Sequence, residues 1–237
     1  MNNRQKRAGQ STRDLAEKRY KNRVWFVLVT AGVVVLILVV ANNSKALGIG
    51  SFGFLGLLAV ARLIMDYSDS KTKRMMKEER RAIRGAKGEE NVGAILENLG
   101  EEYLIIHDIE SPYGNVDHIV ISKQSGIFLI ETKAHGGRVS VNNDTLLVNG
   151  HKPEKDFIAQ ALNNAYWIRE KISNNLSMKI WVTPILVFTN AFVERTAPNK
   201  GVMIINKKYL LNVLQRPNMK AQNSAVWEQR ENIAATI

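Results

Sequence analysis

VDHIVISKQSGIFLIETK, residues 116–133, is the stretch on which the fold turns. Two apolar runs, Val116 to Ser122 and Ile127 to Lys133, flank the turn residues 123–126, so the segment reads as a β-hairpin. Glu131 and Lys133 are two apart on one strand and therefore share a face, directly after the apolar residues 127–130. Asp117 begins the partner strand. A register that opposes Asp117 to Glu131 or Lys133 brings all three side chains to one end of the hairpin. A strict two-residue turn at Gln124 and Ser125 would oppose Asp117 to Thr132 and put it on the wrong face. The functional reading thus requires a three-residue loop or a bulge near Gly126.

Outward from the hairpin, the pattern from Gly85 onward is that of one α/β domain of about 150 residues. Val92, Ile95, Leu96 and Leu99 have the 3, 4, 7 spacing of an amphipathic helix over 86–99, with Gly100 as its stop. A strand is expected at 103–109, and a smaller hairpin pairs 138–141 with 145–148 around Asn142, Asn143 and Asp144. Phe157, Ile158, Ala161, Leu162, Ala165, Ile168 and Ile172 mark a long helix. A strand at 180–188 contains Pro184, which pushes its regular part later or toward an edge. Residues 202–205 read as another strand and 207–214 as a short helix capped by Asn206. The tail after Pro217 is weakly patterned.

Glu89 lies three residues before Val92 and seven before Leu96, on the stripe expected to face the sheet, whereas Glu90 is rotated ~100° away. A carboxylate aimed at a core is costly unless it meets a cation or donors. Two or three carboxylates around one cavity, with a lysine beside them, suit a hard divalent ion such as Mg²⁺. The lysine then orients a water and helps deprotonate it. His107, His118, His135 and His151 have no metal-ligand spacing, and Trp167 and Trp181 read as core or surface aromatics.

The net charge of +11 does not describe this domain. Residues 1–87 carry 18 Lys and Arg against 6 Asp and Glu, a balance of +12, while residues 88–237 carry 15 against 16. The excess flanks two apolar runs. Val24 to Ala41 is 18 residues without a charge, about the minimum to cross a ~30 Å hydrocarbon core as a helix. Ala46 to Ala61 matches it only by continuing to Met65 with Arg62 snorkelling. Basic residues precede the first run and follow the second, so the positive-inside rule sets both ends in the cytoplasm. A buried hairpin in a soluble protein and a signal peptide cleaved near Ala41 are the alternatives; the run is longer than the usual ~7–15 residues of a signal. The chain has no cysteine, which excludes a disulfide scaffold and a thiolate metal site. The expected organisation is a basic N-terminus (1–23), two transmembrane helices (24–41 and 46–65), a charged juxtamembrane linker (66–84), a domain (85–215) and a tail (216–237).

Gly88 and Glu89 in a helix, then VDHIV at 116–120, GIFLIETK at 126–133, Gln160 in a helix and PILVF at 184–188, together resemble the NERD (nuclease-related domain) family over residues 85–215. The resemblance implies a restriction-endonuclease-like fold of the PD-(D/E)xK type, a mixed sheet flanked by helices, here preceded by a two-helix transmembrane hairpin. It implies that Asp117, Glu131 and Lys133 are the motif residues and Glu89 the helix-borne acid, with Gln160 adjoining the site. The expectation is a membrane-anchored nuclease in which Glu89, Asp117 and Glu131 hold Mg²⁺ or Mn²⁺. Its partners are DNA and the bilayer. Because the domain is near neutral, Lys123, Lys152, Lys155 or the juxtamembrane stretch must meet the phosphates. A non-catalytic nucleic-acid or protein-binding module on the same fold is the alternative.

Overall fold

The hairpin of residues 116–133 forms in the register the site requires. In the computed structural model, β2 (Val116–Ser122) pairs antiparallel with β3 (Gly126–Asn142), from Ser122 opposite Gly126 to His118 opposite Ile130. Residues 123–125 are a three-residue loop, and Gly126 takes a left-handed φ of 87° that a side chain would resist. The Ser122 hydroxyl accepts the N–H groups of Gln124 and Ser125, and Ser125 donates to the carbonyl of Arg216. Continued one step, this register sets Asp117 across from Glu131. The structure describes residues 6–43, 46, 48, 50–194, 198–216 and 223–237.

The remaining elements are α1 (Gln10–Asn42), α2 (Ser51–Leu96), β1 (Tyr103–Ile109), β4 (Thr145–Val148), α3 (Phe157–Leu176), β5 (Val182–Val193), β6 (Met203–Asn206), α4 (Leu210–Leu214), α5 (Asn223–Glu228) and α6 (Arg230–Thr236). One six-stranded mixed sheet runs β1-β2-β3-β5-β6, with β4 paired to the far part of β3. β1, β2 and β3 are antiparallel neighbours, and β5 and β6 add parallel. Pro184 pairs with Leu129 of β3, one residue before β6 joins β5 at Ile185, so on that side it sits where the strand is still an edge. β3 shifts register between Lys133 and Gly136, then continues into the second hairpin through Asn143 and Asp144, both at positive φ.

The central strands bury both faces, which is why their sequences run apolar without alternation. Ile119, Ile121, Ile127 and Leu129 pack on one face with Ala165, Ile168 and Ile172 of α3. Val120, Phe128, Ile130, Ile185 and Val187 pack on the other with Val92 and Leu96 of α2 and Leu210 and Leu214 of α4. Asn206 caps the turn before α4 by accepting the N–H of Lys208.

Three expectations are corrected. No helix opens at residues 86–88: α2 runs unbroken through them, since the chain has no proline before Pro112 and a mid-helix glycine costs only about 1 kcal/mol. The second apolar helix begins at Ser51 rather than Ala46, and Ser44 and Lys45 of the expected connector lie outside the described residues. The C-terminal tail carries α5 and α6, whose Val226 and Ile233 are buried against the α3 face of the sheet. Helices of six and seven residues are too short to show a period.

The chain divides into two compact units, Thr12–Ile83 and Arg84–Ile237 with the segment through Ser11. Within the first, α1 and α2 are joined by Arg23 Nε to Glu79 at 2.8 Å, Arg19 to the carbonyl of Glu78 at 2.7 Å, and the hydroxyls of Thr30 and Ser68 at 3.1 Å. Both helices are long and apolar enough to cross a membrane, and only 6% of the apolar window of each is buried. Within the second, the segment through Ser11 packs on the domain: Lys6 pairs with Glu110 at 2.7 Å, and the N–H of Ser11 meets Asp108 at 2.7 Å.

Candidate active site

Asp117, Glu131 and Lys133 share the face of the sheet that α3 covers. Lys133 Nζ lies 2.5 Å from Glu131 Oε1 and 3.2 Å from Gln160 Oε1, and sits 4.8 Å above the ring of Phe157. Two elements therefore fix the lysine: its own strand, through Glu131, and the first turn of α3, through Gln160 and the Phe157 ring. The α3 start is itself held by Asp156, whose side chain accepts the N–H of Ala159. Asp117 is half-buried and accepts the backbone N–H of Thr132 at 2.6 Å, so its carboxylate stands where a ladder bond would otherwise form.

Glu131 is 2% exposed, and its Oε2 has no hydrogen-bond partner among the described residues. A buried carboxylate oxygen without a donor is unfavourable unless a cation completes it. The acids also crowd one another. Burial, then the charges of Glu131 and Glu89, push Asp117 well above the usual carboxylate range, against the pull of Lys133 and the Thr132 N–H. Burial likewise raises Glu131, against Lys133 and Lys155.

The structure brings Asp117, Glu131, Lys133 and Gln160 together; Glu89 stands differently. Its helix packs on the opposite face, with Gly88 against Thr132, Ala134 and Thr189, so the acid belongs to the other layer of the fold. Its charge acts on Asp117 but is absent from the influences on Glu131. Among the described residues no three acidic or histidine side chains converge as a metal-holding group. Mg²⁺ is ordinarily held by one or two carboxylates, with water and substrate oxygens in the remaining positions, and the Asp117–Glu131 pair fits that requirement.

Of the lysines considered for phosphate contact, Lys123 pairs with Glu102 at 3.3 Å at the far end of the hairpin, whereas Lys155 is exposed and its charge reaches Glu131. Sequence reasoning missed Phe157 as the surface beneath Lys133, because its position in the helical stripe marks it only as core. It also missed the loop before β2, where Ser111 donates to Asn164 and to the carbonyl of Gly114, beside Gln160.

His118 points away from Asp117 and is fully buried, with Nδ1 2.8 Å from Nδ1 of His107. One ring donates and the other accepts, so the acceptor is neutral, and burial disfavours a charge on either ring. Burial, and then His107, push His118 down to about 3 from 6.5. The unfolded chain takes up this proton near pH 6.5 and the folded chain refuses it, so stability is lost as the pH falls through that window. Between pH 7.5 and 5 the wild type should lose about 2 kcal/mol more than His118→Leu in denaturant titrations. Equal losses would contradict the neutral pair.

Comparison with curated proteins and with solved structures gives no match. The family model of the nuclease-related domain matches residues 84–189. That span holds Glu89, Asp117, Glu131, Lys133 and Gln160, and over it the chain is similar to the NERD family.

Proposed function

We propose that this chain is a membrane-anchored, metal-dependent nuclease that hydrolyses phosphodiester bonds in DNA at the cytoplasmic face. The observation that carries the reading is the buried Glu131, one oxygen on Lys133 and the other without a partner among the described residues, next to an Asp117 whose charge is disfavoured without a cation. Asp117 and Glu131 would hold Mg²⁺ or Mn²⁺, with Glu89 adjusting the charge on Asp117. Bound there, the ion supplies Lewis-acid stabilisation of charge on the phosphate.

The chain's own groups do the positioning. Lys133, fixed between Glu131, Gln160 and Phe157, donates a hydrogen bond to the attacking water and stabilises the negative charge that develops on its oxygen as the proton passes to solvent. Gln160 keeps the ammonium on the sheet side of the cleft, and Lys155 offers a charge to the phosphate. The anchoring rests on the two apolar helices, and the cytoplasmic orientation on the basic residues at their outer ends.

Mn²⁺ titration of the full chain in detergent, followed by electron paramagnetic resonance, tests the reading. One ion per chain is expected in the wild type and none in an Asp117→Ala and Glu131→Gln double variant. Equal binding by the two, or none by either, would favour a module that does not turn over.

A further inference from the structure

The opposite flank of α3 carries a second feature. Leu162, Tyr166 and Arg169, at helical spacing, form a cavity with Trp181 just before β5, Pro184 within it, and Lys200. Two of its aromatic rings are uncovered, Tyr166 44% and Trp181 50% exposed. Two ordinarily cationic side chains flank them: the Arg169 guanidinium lies 5.2 Å over the Tyr166 ring, and Lys200 makes no ion pair among the described residues. No carboxylate lines this cavity.

Lys200 also lines a neighbouring cavity at the start of α3, with Lys152 and with Phe157, the ring beneath Lys133. Asp144 and Asp156 line that second cavity, and Asp156 is already engaged in capping α3. The two cavities therefore lead from an aromatic, cationic flank toward the back of the candidate active site.

Exposed rings between cations match one chemistry. Aromatic faces stack on unpaired bases of any sequence, while Arg and Lys track the phosphates; paired bases present no free face. We propose that this flank of α3 binds a single-stranded nucleic-acid segment, with bases on Tyr166 and Trp181 and phosphates on Arg169 and Lys200. As an account of substrate choice it rests on the nuclease reading, and it makes a single strand or a frayed end the preferred substrate.

The test uses the full chain in detergent with fluorescein-labelled oligothymidylate and a duplex of equal length, in EDTA so that binding is read without turnover. The single strand should bind more tightly than the duplex. Tyr166→Ala and Trp181→Ala should each weaken it by at least about fivefold, the lower end of base–aromatic stacking, with Trp181→Phe restoring most of the loss. Arg169→Ala and Lys200→Ala should each lower the salt dependence by about 0.7. Both rings are half-exposed, so their removal leaves the core intact, and the basic juxtamembrane residues add the same background to every variant. Unchanged binding in the alanine variants, a loss that phenylalanine does not restore, or equal binding of duplex would overturn the proposal. Metal-dependent cleavage by a chain whose ring variants bind normally would sink this groove alone. Loss of binding in the ring variants of a chain that never cleaves would sink the nuclease reading and leave the groove standing.

Discussion

Asp117→Asn should produce a protein that no longer cleaves and is more stable than the wild type. The amide keeps an oxygen for the N–H of Thr132, so the hairpin end is preserved. What disappears is a charge disfavoured by burial and by the repulsion of Glu131 and Glu89. The sign follows from linkage. A carboxyl whose folded pKa is raised contributes stability below its unfolded value and loses it as the pH rises through the folded value, so at neutral pH the Asp117 carboxyl opposes folding. Removing it should add about 0.5–2 kcal/mol, the range usual for relieving a destabilised functional site, and the gain should shrink as the pH is lowered toward 4. Cleavage should fall by at least about 10²–10³-fold, because a carboxylate that would hold the ion stabilising charge on the phosphate is lost. Mn²⁺ should raise the melting temperature of the wild type and leave the variant unchanged. Melting temperatures across pH, with and without metal, check all three expectations. A variant less stable than the wild type at pH 7 would refute the account of the acid cluster.

Lys133→Ala should lose cleavage too, by about 10²–10⁴-fold, but with stability moving the other way. Lys133 is the cation 2.5 Å from a carboxylate whose side chain is 3% exposed. Its removal leaves Glu131 charged and unpaired in the core, a change that costs about 3–5 kcal/mol. Inactivity of this single variant is therefore ambiguous between lost chemistry and lost fold. A Glu131→Gln and Lys133→Ala double variant resolves it: stability should recover substantially and activity should not. Recovery of neither would mean that Lys133 serves packing against Phe157 rather than the Glu131 charge.

The geometry of the hairpin end was legible because a strand has period two. Once Gly126 was seen to favour a three-residue loop, Asp117 had to oppose Glu131. The position of Glu89 was only half legible. The stripe of Val92 and Leu96 shows that the helix faces a sheet, but a fully buried strand carries apolar residues on both sides, and nothing in the sequence says which side a helix covers. Glu89 consequently lies in the layer opposite the acids it was expected to join, and is felt mainly by Asp117. The unbroken α2 and the short C-terminal helices escaped for a related reason: weak local signals at Gly85, Gly88 and residues 223–236 were decided by tertiary packing.

The segment through Ser11 bears on how the protein is handled. It precedes the domain by more than 70 residues in sequence, yet Ala8 packs against Gly93 near the His107–His118 pair, and Ser11 donates to Asp108. A fragment that starts at residue 85 would remove these contacts, so activity is best measured on the full chain.

The central claim is that the Asp117, Glu131 and Lys133 cluster hydrolyses phosphodiester bonds with a divalent ion. The most direct measurement incubates the full chain in detergent with linear, circular and single-stranded DNA and with RNA, in Mg²⁺, Mn²⁺ or EDTA, beside Asp117→Asn, whose fold is expected to be the firmer of the two. Cleavage that needs metal and is absent from Asp117→Asn is the result expected here. Cleavage that persists in EDTA or in Asp117→Asn, or a folded wild type that cleaves none of the substrates with either metal, would contradict it.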